Sequence, residues 1–319
     1  MNKNFSTFAF IAVLILAAVP WMGAEPILFG DIFNSQTLGH RIFWELRMPR
    51  LLMTLALGGV LASIGTTYQG LFRNPLSDPY ILGISSAVLL GVVVAEIGFN
   101  QKVGTPISFV FGMLSALSLI FILMSFSSSL LASSDRLILF GMGANFILSS
   151  LLFLLLSFQT QSVGGGTLKW FFGFLPWLKR GDALFFLGVS LLVLATLVIF
   201  ARLIDALRMG DSVARTLGIS PGGTRNCFLL LTSLVVALTV SFSGTIGFVG
   251  LVVPQLCLIL FRPASTRVLL LQSFGLGALF LSLADGISRA LLPPFEFPVG
   301  VITTLIGGPL FLFTLWRRS

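Results

Sequence analysis

Apolar runs of membrane-spanning length, broken by short charged or Pro/Gly-rich stretches, follow one another along the chain. A helix that crosses a bilayer needs about 20 mostly apolar residues. The runs predict helices over 6–24, 48–71, 80–98, 106–128, 136–158, 183–203, 226–243, 247–262, 268–290 and 299–316. Ten crossings return both ends of the chain to one side. Two stretches read as non-helical. Arg202 to Arg225 carries four arginines, Asp205, Asp211 and the Gly218–Gly223 turn cluster. It is too polar to span, and only its Asp211–Leu217 core is expected to form a short amphipathic helix along the inner face. Gln159 to Asp182, with Gly164-Gly165-Gly166, Trp170, Trp177 and Lys179, reads as an outer loop with interfacial aromatics. Gly59 with Ser63, Ala62 with Thr66 and Gly141 with Asn145 have the small-xxx-small spacing of close helix contacts in lipid.

Composition agrees with the pattern. Of 319 residues, 56% are hydrophobic and 9% charged, and the mean hydropathy is +1.04. Soluble domains carry about 25% charged residues, so this chain cannot cover a surface facing water. The expected fold is all-α, a single polytopic transmembrane domain over 1–319 with no soluble module. The net charge of +8 does not indicate nucleic acid, because Lys and Arg are scattered between apolar runs and form no continuous basic face. With both termini in the cytoplasm, the Lys and Arg residues divide eleven inside to eight outside, a weak bias of the orienting sign. Several outer arginines sit tight against helix ends, where insertion gives no reason for them. Lys3, the apolar run from Phe8 to Val19 and the small residues ending at Ala24 resemble a signal peptide. A retained first span is favoured, since the rest of the chain needs a cytoplasmic start. Cys227 and Cys257 lie inside apolar runs and read as buried, inert thiols.

Chemistry-bearing residues are few. No G-x-x-x-x-G-K-[ST] occurs, so the chain has no nucleotide-binding loop of its own. His40 stands alone in an outer loop and reads as solvated, and no cluster of His, Cys, Asp and Glu suggests a metal. No cofactor is expected. Glu96 lies near one helix end, and Asp285 precedes Arg289 by four residues, the spacing of an intrahelical ion pair. Ion-coupled carriers place ionisable groups at mid-membrane. The pattern therefore points to a carrier driven by another chain, with a stand-alone secondary transporter or channel as the alternative.

Five blocks sharpen this reading. They are R-M-P-R-L-L (Arg47–Leu52), Q-G-L-F-R-N-P-L-S-D-P-Y-I-L-G-I-S-S (Gln69–Ser86), M-G-D-S-V-A-R-T-L-G-I (Met209–Ile219), S-G-T-I-G-F-V-G-L-V-V-P (Ser243–Pro254) and the stretch from Ala284 to Phe311. In order and spacing they resemble FecCD-type permeases, the membrane subunits of ABC importers for iron-siderophores, haem and cobalamin. The resemblance implies a ten-helix permease of the inner (plasma) membrane. It would work as two copies, above two ATPase subunits and beneath a periplasmic or lipid-anchored substrate-binding protein. It implies that Arg47, Arg50 and Arg289 dock glutamates of the binding protein. Asp211, Ala214, Arg215, Leu217 and Gly218 would belong to the helix that couples to the ATPase. Asn74, Pro75, Leu76, Ser77, Asp78, Pro79, Ser133 and Ser134 would form the cytoplasmic gate. One departure stands out: Gln255 follows Val253-Pro254, where many relatives have His, so no pH-linked or metal-linked role is expected there.

Overall fold

The structure, a computed structural model, describes residues 12–23, 25–99, 104–129, 134–158, 170–175, 179–291 and 295–316. Its regular elements are helices: α1 (Ala12–Trp21), α2 (Leu38–Phe72), α3 (Ile84–Phe99), α4 (Pro106–Ser129), α5 (Ser134–Ser157) and α6 (Arg180–Ile199). They continue with α7 (Ala201–Met209), α8 (Asp211–Thr216), α9 (Pro221–Ser243), α10 (Val249–Leu260), α11 (Thr266–Ala290) and α12 (Val299–Trp316). Among the described residues, six of these (α2, α4, α5, α6, α9 and α11) are long and apolar enough to cross a membrane. Four shorter apolar helices, α1, α3, α10 and α12, fall on the other expected spans.

Where helices begin differs from the apolar pattern. α2 starts about three turns before the expected position. Thr37 caps it by accepting the His40 N–H, and Ile42–Arg47 winds as a π-helical stretch before the α-helix proper. Charged Arg41, Glu45 and Arg47 hid this extension. Likewise, the segment after α6 is more helical than its charge density suggested. α7 buries Ala201, Ile204 and Leu207, which recur every three residues while Arg202, Asp205 and Arg208 take other positions. α9 begins at Pro221, where a proline loses no helical hydrogen bond. Gly222 and Gly223 therefore lie in its first turn and make no separate loop.

The chain forms two compact units, one made of Met1–Ser63, Leu175–Ile199 and Phe248–Ser319, the other of Ile64–Phe174 and Phe200–Gly247. In the first, α11 packs on α6, α10 and α12. Gly58 of α2 and Gly277 of α11 lie against each other so closely that a Cβ on either would overlap the other's carbonyl oxygen. Ala62 and Gly59 extend the same contact, Gly59 against the Phe274 ring. In the second, α3 packs on α4, α5 and α9. Gly141 admits Leu82, and Asn145 accepts the Ser86 hydroxyl at 2.6 Å. Gly59, Ala62 and Gly141, singled out by spacing, lie at these contacts, whereas the Gly58–Gly277 backbone approach was not among them.

Three local expectations are corrected. Trp170 is buried; its carbonyl abuts Gly244 and the neighbouring Phe171 carbonyl accepts the Thr245 hydroxyl, so this stretch lies against the end of α9. Trp177 and most of that loop lie outside the described residues. Cys257 is buried but Cys227, near the start of α9, is exposed. His40 is half-buried, and its Nδ1 donates to the Ile32 carbonyl at 2.7 Å.

Candidate functional sites

Arg47 and Arg50 stand one turn apart on α2, and Arg289 is in the last turn of α11; all three belong to the first unit. Arg47 is buried, and both its terminal nitrogens donate to backbone, Nη1 to Pro20 at 2.9 Å and Nη2 to Glu25. It ties the chain after α1 to α2. Arg289 is also buried, donating from Nη1 to the Met22 carbonyl at 2.9 Å and from Nε to Asp285 Oδ2 at 3.1 Å. The intrahelical pair expected from sequence is therefore present. Arg50 adds a second arm to the same carboxylate, Nε to Asp285 Oδ1 at 2.9 Å, and a third contact from Nη1 to Glu296 Oε2 at 3.0 Å. The Asp285 side chain is 1% exposed and Glu296 40%. A buried carboxylate requires such double compensation, since an unpaired charge there costs several kcal/mol. Of the three arginines Arg50 keeps the most contact with solvent, at 15%.

The turn between α2 and α3 is the second site, in the second unit. Arg73 ends α2 with φ +53°, and Asn74 Oδ1 accepts the Leu76 N–H at 2.9 Å, a local turn that substitutes for helix bonds. Pro75 and Leu76 are exposed, while Ser77, Asp78 and Pro79 are buried. Asp78 Oδ1 accepts the Tyr80 N–H at 2.8 Å. Its other oxygen, Oδ2, and the Ser77 hydroxyl have no hydrogen-bond partner among the described residues. They border a small recess whose remaining wall is Tyr68, Phe72, Ile81, Leu82 and Ile138. Among the described residues no cation compensates the carboxyl. Burial accordingly pushes it up to about 6, against the opposing effect of the Tyr80 amide. Ser134 opens α5; Ser133 lies outside the described residues.

The third site is α8. Gly210 before it (φ +117°) and Gly218 after it (φ +76°) take backbone conformations that side-chain-bearing residues rarely adopt. They isolate a six-residue helix from α7 and α9. Ala214 is fully buried; Val213 and Leu217 are exposed, Leu217 at 61%. Arg215 and Gly218 are also exposed, and the Gly218 N–H donates to the Arg215 carbonyl at 3.0 Å. Asp211, at the N-terminus where a carboxylate suits the helix dipole, pairs with the buried Arg225 of α9 at 3.2 Å and with Arg73 at 3.7 Å. The helix is thus clamped on one side and presents leucine and valine on the other.

Sequence reasoning placed residues at all three sites and missed their partners. Glu296, Arg225, Arg73 and Tyr68 carried no signal of their own, because each acquires a role through contacts between distant segments. Gln255 is buried within α10.

Known proteins resemble this chain along nearly its whole length. The FecCD transport family matches residues 8–317. The hemin transport system permease protein HmuU of Yersinia pestis is 34% identical over 329 residues, covering 98% of this chain and 95% of its own. The vitamin B12 import system permease protein BtuC of Citrobacter koseri is 32% identical over 323 residues, covering 99% and 95%. Among solved structures, an inward-facing conformation of a metal-chelate type ABC transporter superposes with a TM-score of 0.85 at 28% identity, over 98% of this chain and 99% of that one. PsaBC from Streptococcus pneumoniae, solved in complex with Fab, shares the fold with a TM-score of 0.59 at 20% identity, over 90% and 94%. Apolar pattern, helix order and these relatives agree, and the chain belongs to the FecCD transport family.

Proposed function

We propose that this permease is the membrane-spanning subunit of an importer for a metal chelate or corrinoid, of the iron-siderophore, haem or cobalamin class. It would work as two copies, with two separate ATPase subunits supplying the energy and a substrate-binding protein delivering the cargo. The observation that carries the reading is α8, with its exposed Leu217 and Val213 and its Asp211–Arg225 clamp. A solvated loop has no need to hold a six-residue helix by a partly buried ion pair, whereas a helix that receives force from an ATPase does. The ends of the chain and α8 would face the cytoplasm. Arg50 would face outward and receive a carboxylate of the binding protein, with Arg47 and Arg289 holding it and the 20–25 segment in place. The 74–79 turn and the start of α5 would form the inner gate. Polar backbone that breaks at Pro75 and Pro79 suits a constriction, since irregular backbone at membrane depth is tolerated where it lines a cavity or is buried in protein.

The test is reconstitution in liposomes. Permease with its ATPase and binding protein should take up one of the three chelate classes only when ATP is supplied on the ATPase side. The permease alone should neither hydrolyse ATP nor take up any of them. Uptake by the permease alone, driven by a proton or sodium gradient, overturns the proposal in favour of a secondary transporter.

A further inference from the structure

Arg50 holds two carboxylates of opposite kind. Asp285 is buried, receives a second cation from Arg289, and lies within the same helix as that partner. Breaking such a pair strands a charge away from water and costs several kcal/mol. Glu296 precedes α12, is 40% exposed, and meets Arg50 through a single contact, Nη1 to Oε2 at 3.0 Å. A partly solvent-facing pair of this kind contributes little. The two arms therefore behave differently: the Nε arm is fixed, and the Nη1 arm is exchangeable.

We propose that Glu296 is an internal stand-in for the partner's carboxylate, occupying Arg50 Nη1 until docking displaces it. This rests on the reading that Arg50 receives the binding protein. An incoming carboxylate needs the Nη1 arm, and Glu296 already fills it, so the two compete. Exchange of one carboxylate for another leaves the charge at Arg50 unchanged and never uncovers Asp285. The docking site is thus compensated whether or not the partner is present. Its affinity is held down by the competition, which favours release of the emptied binding protein.

The measurement is the affinity of the importer's own substrate-binding protein, fluorescently labelled, for the assembled permease–ATPase complex at low and physiological salt. Five permeases are compared: wild type, Glu296→Gln, Arg50→Lys, Arg50→Ala, and Glu296→Gln together with Arg50→Lys. Glu296→Gln should tighten binding about twofold to fivefold, the size of an exposed pair, and the gain should shrink with salt. Arg50→Lys keeps a cation against Asp285 and so spares the fold, but it lacks a fork that can serve two carboxylates. It should weaken docking and abolish the gain from Glu296→Gln. If Arg50→Lys weakens docking while Glu296→Gln changes nothing or weakens it too, the exchange is wrong and the docking role of Arg50 survives. If Glu296→Gln tightens binding equally beside Arg50→Lys, the effect is general charge removal and the exchange is again wrong. If Arg50→Lys and Arg50→Ala both leave affinity untouched, the docking reading itself falls.

Discussion

Replacing Asp78 with asparagine should stabilise the turn between α2 and α3, and the gain should depend on pH. Asp78 is 5% exposed, and among the described residues one of its oxygens has no partner and no cation faces it. Tyr68 and Tyr80 are the ionisable groups whose surroundings it shares. Burial raises its pKa from 3.8 to about 6, a difference of about two units, or on the order of 3 kcal/mol against the buried charged form. Below about pH 4 the carboxyl is neutral in either setting, and burying it carries no charge penalty. Between about pH 4 and 6 a solvated turn ionises while a buried one resists, so the buried turn loses stability as pH rises. Above that window the whole penalty is present. The substituted amide would still accept the Tyr80 N–H through its carbonyl oxygen and never ionise. The thermal midpoints of wild type and Asp78→Asn, measured in detergent from pH 4 to 8, should coincide at the acid end. They should separate towards neutrality, with the variant higher. Equal separation at every pH, or a lower variant at pH 7, refutes the view that an uncompensated carboxylate loads this turn.

Further outcomes follow from the other sites. Leu217→Asp puts a charge on the exposed face of α8, where desolvating it against an ATPase costs several kcal/mol; the permease should insert normally and fail to co-purify with its ATPase, as tested by pull-down from membranes. Gly58→Val forces a Cβ into the Gly277 carbonyl, and because backbone must give way it should cost about 3 kcal/mol or more, seen as a lower thermal midpoint. Cysteine placed at the exposed position 41 in a background lacking Cys227 and Cys257 should be labelled from outside the cell; labelling only from the cytoplasm refutes the topology.

Much of the fold was legible because the bilayer imposes a length. Each apolar run had to be a helix, and each became one. What the apolar count could not supply was the start of a helix whose first turns are polar. α2 begins at a Thr37 cap and carries Arg41, Glu45 and Arg47 before its apolar body. α7 was hidden because its buried face is only Ala201, Ile204, Ala206 and Leu207, set among arginines. The Asp285–Arg289 pair was readable, since four residues on a helix is one turn. Arg50 to Asp285 was not, because 235 residues separate them and only packing brings them together. That Asp78 Oδ2 has no partner among the described residues was equally invisible. A sequence shows a carboxylate but not the absence of a partner around it.

Two ion-pair clusters among the described residues share one pattern. In each, a single aspartate is shared by two arginines, one well buried and one more exposed: Asp285 by Arg289 and Arg50, Asp211 by Arg225 and Arg73. The deeper arginine neutralises an aspartate that is fully buried at Asp285 and 26% exposed at Asp211. The more exposed arginine also reaches beyond the aspartate: Arg50 meets Glu296 as well, and Arg73 is 45% exposed to solvent. The consequence is a separation of roles that mutation can expose. Asp285→Asn leaves the buried Arg289 without its carboxylate and Arg50 with Glu296 alone, and should cost about 3–5 kcal/mol of stability. Arg73→Ala, at 45% exposure and 3.7 Å from Asp211, should cost no more than about 1 kcal/mol. If Arg73→Ala nevertheless slows ATP-driven uptake while the thermal midpoint holds, the exposed arm serves the coupling of α8 rather than the fold. If both fall together, the clamp is structural throughout, and force must enter the permease elsewhere.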